Sequence, residues 1–127
     1  MKQNLQQGVA AQGYDVISFF NGKPAKGSQN ITSNYNGGVY QFSSKENQTK
    51  FDNNPSDFIP QYGGFCAIAM SEGAEANPNP KSWEVREGKL YFFTRMFWGI
   101  IDAKRQWVKD PLVKRDLADA EWKKMNS

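Results

Sequence analysis

The core of this chain has to be built from aromatic rings. Nine Phe, five Tyr and four Trp make up 14% of its 127 residues, while the apolar fraction as a whole is only 39%. Each ring removes a large area from water, so few side chains suffice to close one core in a chain of this length. No covalent staple helps, because Cys66 is the single cysteine and cannot form an intrachain disulfide. Histidine is absent altogether. That removes Ser-His-Asp and Cys-His catalysis and the commonest metal ligand.

The mean hydropathy of -0.73 reflects many Asn, Gln, Lys and Ser side chains on a well-solvated surface. The formal net charge is +3. Basic and acidic residues balance over 1–94, so the whole excess falls in 95–127, densest at Lys104, Arg105, Lys109, Lys114 and Arg115. Interspersed Asp102, Asp110, Asp116 and Asp119 make this the solvated side of two amphipathic helices rather than a nucleic-acid or anionic-membrane footprint, and no nucleic-acid partner is expected. No run of 18 apolar residues occurs, so no spanning helix is expected.

Local patterns divide the chain. Residues 1–8 are polar and expected to be loose. The run 14–20, Tyr-Asp-Val-Ile-Ser-Phe-Phe, is β-branched and aromatic and reads as a strand ended by the turn Asn21-Gly22-Lys23-Pro24. Residues 31–36 and 38–43 read as a hairpin about Asn36-Gly37-Gly38. Ser43 or Ser44 caps a short helix with Phe51 inside, and Asn54-Pro55 restarts the chain helically. A tight loop at Gly63-Gly64 leads into a helix of about 65–71, and 73–82 is a loop by composition. Residues 83–86 and 89–93 form a second hairpin across Glu87-Gly88. A helix over 95–108 and another from Asp110-Pro111 complete the chain, and no internal repeat stands out. The expected fold class is α+β: a small antiparallel sheet of two hairpins packed with short helices, plus two C-terminal helices, with 9–125 as a single domain.

In order, Gly13-Tyr14-Asp15, Gly22-Lys23-Pro24, Tyr35-Asn36-Gly37, Tyr40 and Phe42, Pro60-Gln61-Tyr62-Gly63-Gly64-Phe65-Cys66-Ala67 and Gly88-Lys89-Leu90-Tyr91 resemble the YHS-domain family, in particular its small stand-alone bacterial members. The resemblance covers roughly residues 9–122. It implies a binding module without turnover, for a small ligand or metal ion, centred on the Cys66 loop with Tyr14, Asp15 and Tyr62 as further candidate ligand-binding residues. It also implies a periplasmic or secreted protein if a signal peptide has been removed, and a cytoplasmic one otherwise. In the family's metal-binding branch, cysteines align with Ser18, Ser43 and Asn47 of this chain, none of which is a thiolate. One thiolate without imidazole cannot complete a tetrahedral site, so no tight zinc or copper is expected in the monomer, and the cofactor is unknown.

Cys66 follows two glycines at the expected start of a helix, which makes a reactive, redox-active thiol one option and a buried, inert side chain the other. Buried beside the 14–20 strand is the expected position. A third option is a protein-interaction module using the C-terminal helices. Residues 95–108 carry more large apolar surface than one helical stripe needs, and they depart from the more polar sequence usual in the relatives. Met96, Phe97 and Trp98 are therefore expected to line a homodimer interface or an apolar pocket.

Overall fold

The computed structural model describes residues 2–127 and has the α+β architecture expected. Strands β1 (Leu5–Gln6) and β2 (Val9–Ala10) precede helix α1 (Val16–Phe20) and the hairpin β3 (Ser28–Tyr35) and β4 (Gly38–Phe42). Helices α2 (Lys45–Asn53), α3 (Pro55–Phe58) and α4 (Ala67–Ser71) lead to a second hairpin, β5 (Asn79–Arg86) and β6 (Lys89–Phe93). A small third hairpin, β7 (Arg95–Met96) and β8 (Ile101–Asp102), precedes α5 (Lys104–Lys109) and α6 (Pro111–Met125). The hairpins belong to separate sheets. The first extends to the order β1-β2-β4-β3, with β2 parallel to β4, while β5-β6 and β7-β8 stand as pairs.

Three expectations are corrected. The 14–20 run is not a strand, because Asp15 caps it into the short helix α1: its carboxylate accepts from the backbone N–H of Ile17 and Ser18. The 95–108 helix is confined to its second half, because Phe97, Trp98 and Gly99 all take positive φ and turn the chain back. Near the start of the chain, Asn4 N–H donates to the Gly63 carbonyl at 2.7 Å, and the Gln3 amide reaches the carbonyl of Asn36 at 2.8 Å.

The third correction concerns repetition, since the chain is built twice over. Left-handed turns at Ala11-Gln12-Gly13 and Tyr62-Gly63-Gly64 enter α1 and α4, and each of these helices ends before a positive-φ glycine, Gly22 or Gly73. Asp15 N–H donates to Ala25 O at 2.9 Å, and Cys66 N–H donates to Ala76 O at 3.0 Å. Both hairpins carry an irregularity in the first strand, between Ser28 and Thr32 or between Asn79 and Trp83, and a positive-φ pair at the turn, Asn36-Gly37 or Glu87-Gly88. The ring of Phe51 lies 4.9 Å from Tyr40 and 5.1 Å from Phe42, and that of Trp107 lies 4.8 Å from Tyr91 and 5.3 Å from Phe93. Finally, Asn54-Pro55 and Asp110-Pro111 begin α3 and α6 from the same backbone conformation.

Each half encloses its own hydrophobic cluster. The first gathers Val16, Ile17, Phe19, Tyr40, Phe42 and Phe51, and the second gathers Tyr62, Cys66, Ile68, Met70, Tyr91, Phe93 and Trp107. Strand β6 serves both, because Leu90 and Phe92 belong to the first cluster while Tyr91 and Phe93 belong to the second. The halves differ most where strand gives way to helix. In the first, Ser43 alone lies between β4 and the Ser44 cap; in the second, residues 94–103 lie between β6 and α5.

Candidate functional site

Asp15 is fully buried and is the busiest acceptor in the first half. Besides the two α1 amides, its Oδ2 accepts from Ser43 N–H at 2.9 Å, Ser43 Oγ at 2.7 Å and Asn47 Nδ2 at 2.8 Å. The Ser18 hydroxyl donates to the Asp15 carbonyl and accepts from Ala25 N–H. Ser18, Ser43 and Asn47 are thus all gathered on Asp15. Hydrogen bonds from neutral donors compensate the buried carboxylate, which is the condition for keeping such a charge inside. Among the described residues no buried side-chain nitrogen or oxygen lacks a partner.

Cys66 holds in the second half the place of Asp15 in the first, immediately before a short helix. Its side chain makes no capping hydrogen bond, and the residue is 1% exposed. It packs in the second cluster, whereas Tyr14 packs against the first, under the ammonium of Lys26 at 5.5 Å. Burial of Cys66 is as expected, but its side-chain neighbours are those of the second half rather than the 14–20 segment. Tyr62 shares that second cluster and donates from its hydroxyl to Asp119 Oδ1 at 2.7 Å. Burial, followed by that hydrogen bond to a carboxylate, pushes the Tyr62 phenol well above its ordinary value, so it stays protonated. The four expected ligand residues are therefore divided between two cores, with Asp15 and Tyr62 joining helices to their surroundings. No group of three or more His, Cys, Asp or Glu side chains placed to hold a metal ion occurs among the described residues.

An open cleft of about 450 Å³ lies between Phe20, Phe58, Gln61 and the Glu87–Lys89 turn. It contains none of the four candidates, and its charged groups are Asp57, Glu87 and Lys89.

The most exposed apolar side chains lie at the β7–β8 tip, whose residues the sequence had assigned to a helix, while Val108, Leu112, Val113 and Leu117 on α5 and α6 are about half exposed. Trp98 is 93% exposed, Ile100 74%, Phe97 60% and Met96 48%. Phe97 and Trp98 also take φ of 53° and 57°, a conformation costing non-glycine residues roughly 1–2 kcal/mol each. Burial within the chain does not repay that strain. The tip is nonetheless well braced. Arg105 donates from Nη1 to Ile100 O at 2.8 Å and from Nη2 to Gly99 O at 2.6 Å. Arg95 lies on the other flank, so close that a Cβ on Gly99 would come within 2.9 Å of its Nη2. At the base, Asp102 Oδ1 accepts from Ser82 Oγ and from Lys104 N–H.

No known protein family, curated protein or solved structure matches this chain.

Proposed function

We propose that this protein is a non-catalytic docking module whose working surface is the β7–β8 tip, residues 96–101. One observation carries the reading: the tip is an addition to a repeated unit that does not need it. The first half joins strand to helix through Ser43 and Ser44, whereas the second inserts a braced hairpin there and presents Phe97 and Trp98 to solvent in a strained conformation. Strained, exposed and apolar residues held by well-made hydrogen bonds are characteristic of binding surfaces. A ligand or redox role centred on Cys66 draws less support, because the thiol is enclosed by apolar side chains. Self-association through Met96, Phe97 and Trp98 is one way to use the tip, and sedimentation of the wild-type chain against a tip variant registers it.

The test of a docking role is stability. Asparagine and glycine tolerate positive φ, so the double variant Phe97→Asn/Trp98→Gly relieves strain while removing little buried surface. Its unfolding free energy is expected to equal that of the wild type or exceed it by up to about 1–2 kcal/mol. A loss of more than about 1 kcal/mol would make the tip part of the structure and end the docking reading.

A further inference from the structure

We infer that the β7–β8 tip inserts into the interface of an anionic lipid bilayer. This rests on the docking reading and names its partner.

The size of the tip comes first. Its apolar side chains sit on a two-stranded hairpin, and residues 96–101 by themselves are too few for a stable protein interface, which takes roughly 20–30 residues a side. The two clefts that a second copy offers both carry charged side chains beside their apolar ones: Asp57, Glu87 and Lys89 next to Phe20 and Phe58 in one, Lys2 and Glu75 next to Met125 in the other. A bilayer interface needs no socket, and tryptophan is the side chain most at home there, with an apolar ring and one N–H donor.

Charge points the same way. Residues 95–109 hold four basic side chains, Arg95, Lys104, Arg105 and Lys109, against one acidic, Asp102. That acid is engaged with Ser82 and Lys104 and lies 3.8 Å from Arg95. Two such tips facing each other would repel. An anionic headgroup layer attracts them, each Lys or Arg near the surface adding to affinity. Arg105 and Lys109 lie one turn apart on α5 and so share a face of that helix.

The backbone is prepared for an apolar environment. A loop entering lipid must satisfy its own polar groups. The Arg105 guanidinium occupies the carbonyls of Gly99 and Ile100, and Ile100 N–H donates to Phe97 O at 3.1 Å. Arg105 thus serves twice, closing two of the tip's acceptors and carrying charge toward the headgroup level.

The experiment is flotation of the intact chain with vesicles of phosphatidylcholine alone or mixed with phosphatidylglycerol. Binding is expected to the mixed vesicles, weakened by salt and much lower on neutral ones. Phe97→Asn/Trp98→Gly should lower the partition coefficient roughly ten-fold or more, as loss of large buried side chains does. Lys104→Gln/Lys109→Gln should lower it to a similar degree on anionic vesicles only. Absence of binding to mixed vesicles, equal binding to both, or undiminished binding by the tip variant overturns the inference. So does a wild-type chain that ignores vesicles and self-associates through the tip, but that result leaves the docking reading standing. The docking reading itself falls on the stability measurement alone.

Discussion

Trp107 donates from its indole Nε1 to Oε1 of Glu84 at 2.9 Å, a bond for which Phe51, its counterpart in the first half, has no donor. The ring fills the second cluster beside Tyr91 and Phe93, and the N–H reaches out of it to a carboxylate that also accepts from Arg86 Nε at 2.6 Å. Trp107→Phe keeps most of the packing but removes that donor and leaves a void. Urea unfolding should show a loss of about 1–3 kcal/mol, and Trp107→Ala a loss of about 3–5 kcal/mol. A Phe variant as stable as wild type would mean that the hydrogen bond contributes nothing.

The same carboxylate gives stability a pH dependence. Burial pushes the Glu84 carboxyl up, but hydrogen bonds from Arg86 and Trp107 and the charges of Arg86 and Lys104 outweigh it and hold the group below its ordinary value. A carboxyl depressed in the folded state binds its proton more readily when unfolded. Its contribution is therefore complete above the unfolded value, about 4.3, and is lost as pH falls through the lower folded value. Wild type should exceed Glu84→Gln in stability at neutral pH, with the gap closing below about pH 4. A gap independent of pH would contradict this.

Asp15 should behave as a structural carboxylate. Asp15→Ala leaves the amides of Ile17 and Ser43 and the Asn47 side chain without their acceptor, inside the protein. The expected cost is about 3 kcal/mol or more by denaturant titration. Asp15→Asn turns an amide N–H₂ toward those donors and should also destabilise. Wild-type stability in both variants would return Asp15 to the list of free ligand candidates.

The Cys66 thiol should react with a bulky disulfide reagent only through opening of the fold. Its modification rate is expected to be far below that of the unfolded chain and to rise with urea in step with unfolding. Rapid stoichiometric labelling of native protein would revive the redox reading.

Where the chain turns by asparagine or glycine, the sequence was readable: Asn36-Gly37 and Glu87-Gly88 sit at the hairpin turns, and Ser44 and Asp110-Pro111 at helix starts. The 14–20 run misled because α1 is buried all round and shows no amphipathic period, leaving its β-branched composition to suggest a strand. Asp15 directly before the apolar run was the available sign of a cap. The tip misled in the opposite way. Phe97, Ile100, Ile101, Lys104 and Val108 recur at helical spacing, and only Gly99 hinted at the reversal. The duplication escaped because equivalent positions hold different chemistry, Asp15 against Cys66 and Phe51 against Trp107. What the halves share is a thin set, Gly13/Gly64, Ile17/Ile68, Gly22/Gly73, Ala25/Ala76, Gly37/Gly88, Tyr40/Tyr91 and Phe42/Phe93. Separation of Tyr14 and Asp15 from Cys66 and Tyr62 follows from that duplication, which a linear reading does not reveal.

Strand β6 has no outer side. In β4 the buried residues alternate with half-exposed ones, whereas in β6 every residue from Leu90 to Phe93 is buried, even-numbered side chains in one core and odd-numbered in the other. Slippage of this strand by one residue would exchange the contents of the two cores, putting Tyr91 where Leu90 belongs. Melting of the first half would bare Leu90 and Phe92, and melting of the second would take away the strand that walls the first. A molecule assembled from two similar units, each with its own interior, is thereby bound to unfold as one.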